Sequence, residues 1–162
     1  VQEYVEGENL ETHIDRLNQA MRERDVLAHA SELLDILDYL ARQTPPIVHR
    51  DIKPANIIIG TKDKKAHLVD FGIARADVAR NAKRKQTSAL GTPGYAPPEQ
   101  YQGNADPRSD LYALGATLHH LLTNRDPRNY PPFNFPPAIS VNPQLSPEVD
   151  RLLTHALHND TS

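Results

Sequence analysis

The chain has no cysteine. That excludes a disulfide framework and any thiolate-bound metal. It also has no excess of positive charge: 18 Lys and Arg stand against 21 Asp and Glu, a formal net charge of −3. A global basic field of the kind that draws nucleic acid is therefore missing, and no nucleic-acid partner is expected. No apolar run approaches the length of a membrane span, and no signal-peptide pattern is present. These absences point to a cytoplasmic domain, with room for a membrane tether outside this stretch. The 162 residues suffice for one domain with a real core. The first residue is Val1, not Met, and Val1–Val5 reads as the end of a strand whose partners are elsewhere. The expectation is a fragment of a longer protein.

The informative stretch is His49–Gly72. It opens with His49-Arg50-Asp51-Ile52-Lys53-Pro54-Ala55-Asn56 and continues through Ile57-Ile58-Ile59. A polar turn over residues 60–65 follows, and the chain returns as Ala66-His67-Leu68-Val69-Asp70-Phe71-Gly72. Two short apolar runs about a polar turn predict a β-hairpin. Strands in such a ribbon lie about 4.8 Å apart, which would set Asn56 roughly opposite Asp70. Asp51, Lys53 and Arg50 occupy the loop feeding the same end. Carboxylates gathered in a small volume need neutralising, and a hard cation such as Mg²⁺ does this through oxygen ligands while bridging to phosphates. Asp51, kept off the metal, suits a proton acceptor for an attacking hydroxyl. Lys53 suits a transferring phosphoryl group.

His49–Asn56 resembles the H-R-D-x-K-x-x-N catalytic loop of protein kinases, and Asp70-Phe71-Gly72 resembles their D-F-G metal motif. The resemblance implies a bacterial-type serine/threonine kinase that uses ATP and Mg²⁺. It covers essentially the whole chain, but only the larger, helical lobe. The expected fold is mainly α with a small β-hairpin, the C-terminal lobe of a kinase without its N-terminal lobe. Residues 1–162 would be a partial kinase domain, hinge plus C-lobe, with an activation segment over residues 70–99.

Carried over position by position, the resemblance makes Asp51, Lys53 and Thr92 catalytic. It makes Asn56 and Asp70 the metal ligands. Val1–Val5 followed by Glu6-Gly7-Glu8 resembles the hinge, where the Glu3 carbonyl and Val5 amide would face the adenine and Asn9 would lie near the ribose; the plainer reading of these residues is a strand-to-helix turn. Lys53, Asn56 and Asp70 complete the ATP site. His49 would stack on Phe71. Gly91-Thr92-Pro93-Gly94-Tyr95-Ala96-Pro97-Pro98-Glu99 resembles the peptide-substrate platform, with Pro97 where alanine is usual. Thr92 would bond both Asp51 and Lys53, which with Lys53 itself implies Ser/Thr acceptors. Thr87 and Ser88 sit where a regulatory phosphate is common, and Arg50 could grip it through charge-assisted bonds. Asp110 would bond the backbone of the catalytic loop. The usual arginine partner of Glu99 would lie beyond Ser162.

The remaining pattern is helical. Leu10, Ile14, Leu17 and Met21 share one face, and Val26–Ala41 carries a wide apolar stripe that Asp25 could cap. Thr44-Pro45-Pro46 ends it. Leu111–Thr123 is largely apolar and predicts a buried helix. His13 and His29 read as surface or partly packed, and the adjacent His119 and His120 as structural, since they face different sides. Asn124–Pro147 is proline-rich, with Phe133 and Phe135 expected to dock on the helices. Ser146-Pro147-Glu148 starts a last helix.

No glycine-rich phosphate loop and no strand lysine for the α- and β-phosphates occur within residues 1–162. The fragment alone is therefore expected to be nearly inactive. Two other readings use some of the same residues. A pseudokinase scaffold is opposed by Asp51, Lys53, Asn56 and Asp70 all being present. A small-molecule phosphotransferase of the aminoglycoside or choline type is opposed by Lys53 and Gly91–Glu99.

Overall fold

A computed structural model describes residues 6–69 and 91–158 of the chain. Among these, three short strands and six helices surround a shared core. β1 (Gly7–Asn9), β2 (Ile57–Gly60) and β3 (Ala66–Leu68) form an antiparallel sheet in that order. The hairpin pairs Ile57 with Leu68 and Ile59 with Ala66.

The third strand corrects the expectation of a lone hairpin. The stretch that resembles the hinge supplies this strand: Gly7 pairs with Gly60 and Asn9 with Ile58. Nothing in so polar a stretch reads as strand. Gly7 permits it, because a Cβ there would run into the Ile59 carbonyl.

α1 (Leu10–Leu17) begins at Asn9, whose side chain accepts a hydrogen bond from the Thr12 amide at 2.8 Å. It buries Leu10 and Ile14 and stops at Asn18, which is left-handed at φ 50°. Met21 therefore lies beyond the helix and not on its face. Its amide instead donates to the Leu121 carbonyl at 2.8 Å. In α2 (Glu23–Ala41) the N-cap position is Arg22, which makes no side-chain cap bond, so Asp25 sits inside the first turn and not at the cap position. There it favours the positive end of the helix dipole and pairs with Arg22 at 3.2 Å. Val26, Ala30, Leu33, Leu37 and Leu40 form its buried stripe.

α3 (Pro98–Tyr101) is a single turn. α4 (Pro107–Thr123) starts on a capping box, in which Asp106 accepts from the backbone and Ser109 answers the Asp106 amide. Almost every residue of α4 is buried, although Leu111 faces outward at 43 % exposure. α5 (Ala138–Val141) and α6 (Pro147–Ala156) close the core from the far side. Ser146 caps α6, accepting from the Val149 amide at 3.3 Å, and Asp150 accepts from the Ile139 amide at 3.2 Å. The prolines of the 124–147 connection leave it irregular but ordered, with Phe135 edge-on to His119 at 5.2 Å and Phe133 edge-on to Tyr101 at 6.0 Å. Nineteen buried apolar residues drawn from α1, α2, the sheet and α4–α6 make one cluster, so the loop between α2 and β2 rests on a continuous core. No helix among the described residues is long and apolar enough to cross a membrane.

Candidate active site

Val48 and Ile52 bury the loop over residues 48–53 against the core, and polar side chains from distant elements hold its backbone. Asp110, on the first turn of α4, accepts two backbone bonds: His49 N at 2.7 Å to Oδ2 and Arg50 N at 3.0 Å to Oδ1. Its carboxyl is almost wholly buried, and that burial pushes its pKa up to about 6 against the pull of the two amides. Arg50 takes a left-handed backbone conformation, φ 76°. This turns its carbonyl the other way, where Gln100 Nε2 of α3 donates to it. Gly91 must be glycine for that contact. It sits at φ +75°, and a Cβ there would lie 2.6 Å from Gln100 Nε2 and 2.9 Å from the Arg50 carbonyl oxygen.

His49 is fully buried and bonds at both ring nitrogens. Nδ1 accepts from the Asp51 amide at 3.1 Å, which makes Nε2 the donor to the Val69 carbonyl at 2.9 Å. The ring thus ties the loop to the strand that leads to Asp70. The Val69 amide also donates to the Asn56 carbonyl at 3.0 Å, so the hairpin sets residue 56 against residue 69.

The side chains of Asp51, Lys53, Asn56 and Thr92 converge. Lys53 Nζ donates to Thr92 Oγ1 at 2.9 Å, and Thr92 Oγ1 donates to Asp51 Oδ1 at 2.8 Å. Asn56 Nδ2 donates to the Asp51 carbonyl at 2.8 Å and reaches Asp51 Oδ2 at 3.3 Å. Lys53 Nζ stands 3.8 Å from Asp51 Oδ2. Asp51 is buried, with only 8 % of its surface exposed. With its nitrogen committed to Asp51, Asn56 has its amide oxygen left for a ligand. An amide oxygen is a hard donor and suits Mg²⁺. Among the described residues, no group of three or more His, Asp or Glu side chains gathers to hold a metal ion.

Several expected site residues lie outside the described residues: Glu3, Val5, Asp70, Phe71, Thr87 and Ser88. Asn9 is described, and its side-chain oxygen caps α1. Arg50 Nε is buried and has no hydrogen-bond partner among the described residues. Glu99 accepts from Ser109 Oγ at 3.3 Å. Of the histidines, His13 pairs with Glu8 and His29 with Glu32, each at 2.9 Å.

Gln100 escaped the sequence, and so did the partners of Tyr95, His119 and His120. Gln100 gave no signal apart from its place beside Glu99. Tyr95, beneath the 91–96 turn, bonds through its hydroxyl to His120 Nδ1 at 2.8 Å, and burial raises the pKa of the phenol. His119 donates from Nε2 to the Pro136 carbonyl at 2.9 Å. Burial lowers the pKa of both imidazoles, so each is held neutral.

Comparison with known proteins gives the family. The family profile described as "Protein kinase domain" matches residues 1–161. Serine/threonine-protein kinase B of Synechocystis sp. is 41 % identical over 135 residues, covering 79 % of this chain and 23 % of that protein. Serine/threonine-protein kinase PknA of Nostoc sp. is 35 % identical over 96 % of this chain and 29 % of its own length. The crystal structure of the Mycobacterium tuberculosis PknI kinase domain superposes with a TM-score of 0.74 at 31 % identity, covering 97 % of this chain and 56 % of that one. The chain thus spans about a quarter of the length of these curated relatives and about half of a solved kinase domain. With catalytic-loop geometry, profile and relatives in agreement, the chain belongs to the protein kinase family and is of the bacterial serine/threonine type.

Proposed function

We propose that residues 1–162 are the helical lobe, with the hinge, of an ATP-dependent kinase that phosphorylates serine and threonine hydroxyls of proteins. The observation that carries this reading is the chain of bonds from Lys53 through Thr92 to Asp51. Asp51 is the base: one oxygen of its carboxylate takes the proton of the incoming hydroxyl. Thr92 fixes the orientation of that carboxylate and, being part of the 91–96 turn, links it to the surface where a peptide would lie. Lys53 offers its ammonium to the transferring phosphoryl group. Mg²⁺-ATP, when bound, supplies that group and offsets its charge. Asn56, through its free amide oxygen, and Asp70 would hold the metal; Glu3 and Val5 would present backbone to the adenine, with Asn9 toward the ribose. His49 and Phe71 would support Asp70, and Asp110 and Glu99 would support the loop and the platform. Phosphorylation of Thr87 or Ser88 would give Arg50, whose Nε has no described partner, an anion to grip. The proposed setting is cytoplasmic.

Phosphoryl transfer depends on positioning and charge, with little covalent work by the protein. Residues 1–162 contain no glycine-rich phosphate loop, so by themselves they are expected to transfer phosphate only slowly. The decisive experiment therefore uses the intact polypeptide that carries them. Asp51→Asn should cut kcat for a Ser/Thr peptide by about 10²–10⁴-fold while Mg²⁺-ATP binding persists. An undiminished rate in that variant would sink the assignment of the base. Nucleotide binding with no transfer by the unsubstituted protein would favour a scaffold instead.

A further inference from the structure

The peptide group between Arg50 and Asp51 is held at both of its polar edges. Its N–H, on Asp51, donates to His49 Nδ1 at 3.1 Å, and its carbonyl oxygen, on Arg50, accepts from Gln100 Nε2. A peptide group is planar and nearly rigid, so bonds at both edges fix how the chain enters Asp51. His49 belongs to the same loop, whereas Gln100 comes from α3, 50 residues away. The Gln100 contact also closes a frame between three elements. Arg50 N donates to Asp110 Oδ1 of α4 at 3.0 Å. Beside Asp110, Ser109 Oγ donates to Glu99 Oε2 of α3 at 3.3 Å. Beside Glu99 stands Gln100, which returns to the Arg50 carbonyl. Gln100 is buried, and the missing side chain at Gly91 leaves the room its amide occupies.

We propose that Gln100 is a positioning residue for phosphoryl transfer, setting the aim of the Asp51 carboxylate by holding the peptide group in front of it. The inference rests on the kinase reading above. Its main support is place. The Gln100 contact falls on the peptide group that carries Asp51, and the Asp51 carboxylate meets Thr92 at 2.8 Å and Asn56 at 3.3 Å. Rotation of that peptide group would carry the carboxylate away from both. The second support is chemistry. An amide nitrogen donates to the part-buried Arg50 carbonyl, where an apolar side chain of the same length would fill the space and leave the oxygen short of a partner. The third is the backbone. Arg50 at φ 76° is in a region that non-glycine residues seldom occupy, and Gln100 supplies the hold on its carbonyl side.

The test uses the intact polypeptide with Mg²⁺-ATP and a Ser/Thr peptide, with rates normalised to folded protein. Gln100→Met keeps the length of the side chain and removes the donor. It should lower kcat by about 10- to 10²-fold while KM for ATP and for peptide stay within about twofold. Gln100→Glu sets a carboxylate oxygen against the Arg50 carbonyl, and only the protonated carboxyl can donate to it. Burial raises the pKa of that carboxyl, so the kcat of this variant, as a ratio to the unsubstituted protein, should rise as pH falls from about 8 to 6. Asp51, Asp110, Glu99 and His49 are common to both proteins, so the ratio reports position 100 alone. A Gln100 that only fills space predicts neither result. Full kcat in Gln100→Met with a pH-independent ratio in Gln100→Glu would overturn the positioning role and leave the kinase reading standing, as would a loss carried by KM for peptide alone. No transfer by the unsubstituted protein would overturn the kinase reading and this proposal together.

Discussion

α2 and α4 are the two longest helices and pack against each other, yet they are built to opposite rules. α2 buries five of its nineteen residues, all apolar, along one stripe. Its outer face carries Leu34 and Tyr39 into solvent. α4 buries thirteen of seventeen, and five of those are polar: Ser109, Asp110, Thr117, His119 and His120. A helix covered on most of its surface leaves little face for water, and three of its buried polar side chains take partners in the loops around it, whereas Thr117 Oγ1 has no hydrogen-bond partner among the described residues. Asp110 holds the loop before Asp51, His120 holds Tyr95 under the 91–96 turn, and His119 holds the 133–137 connection. α2 is a wall. α4 is the post from which the working loops hang.

That contrast can be broken by substitution. Leu33→Ala on α2 should cost about 2–5 kcal/mol of unfolding free energy, the range for a buried leucine that leaves a cavity, while the molecules that stay folded keep their transfer rate. Denaturant unfolding and a rate normalised to folded protein check both halves. Asp110→Ala on α4 should cost less stability, about 1–3 kcal/mol for the stranded His49 and Arg50 amides. It should cost far more activity, about 10²-fold in kcat, because Asp51 follows directly and small misplacements are expensive. Equal effects of the two variants on activity would remove the distinction between wall and post.

A smaller effect concerns pH. His119 and His120 are held neutral by burial, below the ordinary imidazole value of about 6.5. The unfolded chain then binds protons that the folded chain refuses, so their share of stability is full above about pH 6.5 and is lost as pH falls. Asp110 runs the other way: raised to about 6, it favours the folded state at low pH and loses that contribution as pH rises from about 4 to 6. The difference between the unsubstituted protein and His120→Gln isolates the histidine. The variant should show a flatter melting-temperature profile between roughly pH 7 and 5. Parallel profiles would mean that His120 is not held neutral in the fold. The smallest effect belongs to the outer face of α2. Leu34→Gln should change stability by no more than about 0.5 kcal/mol, measured by the same unfolding curves.

How far these features were legible depended on their range. Periodic apolar residues announced α2 and α4, and the two short runs about residues 60–65 announced the hairpin, because helix and strand periods are local. The residue types around Asp51 were legible through the spacing of His49–Asn56. β1 was not, since Gly7-Glu8-Asn9 has no strand character and pairs only because β2 is already there. The N-cap position of α2 at Arg22 and the placing of Met21 against Leu121 are likewise decided by packing between elements. The bonds of Gln100 and His120 could not be found from sequence, although His120 read as structural, since their partners lie 50 and 25 residues away and no motif joins them.

The backbone at Arg50 has a further consequence. A non-glycine residue at φ 76° costs of order 1–3 kcal/mol and stays there only while something outside the residue insists. Two anchors insist here, pulling the amide toward α4 and the carbonyl toward α3. The segment bearing Asp51, the proposed base, is therefore under tension, like a bent spring pinned at both ends. Release of either pin gives it somewhere downhill to go, so a change at α3 or α4 is felt at Asp51 without touching it.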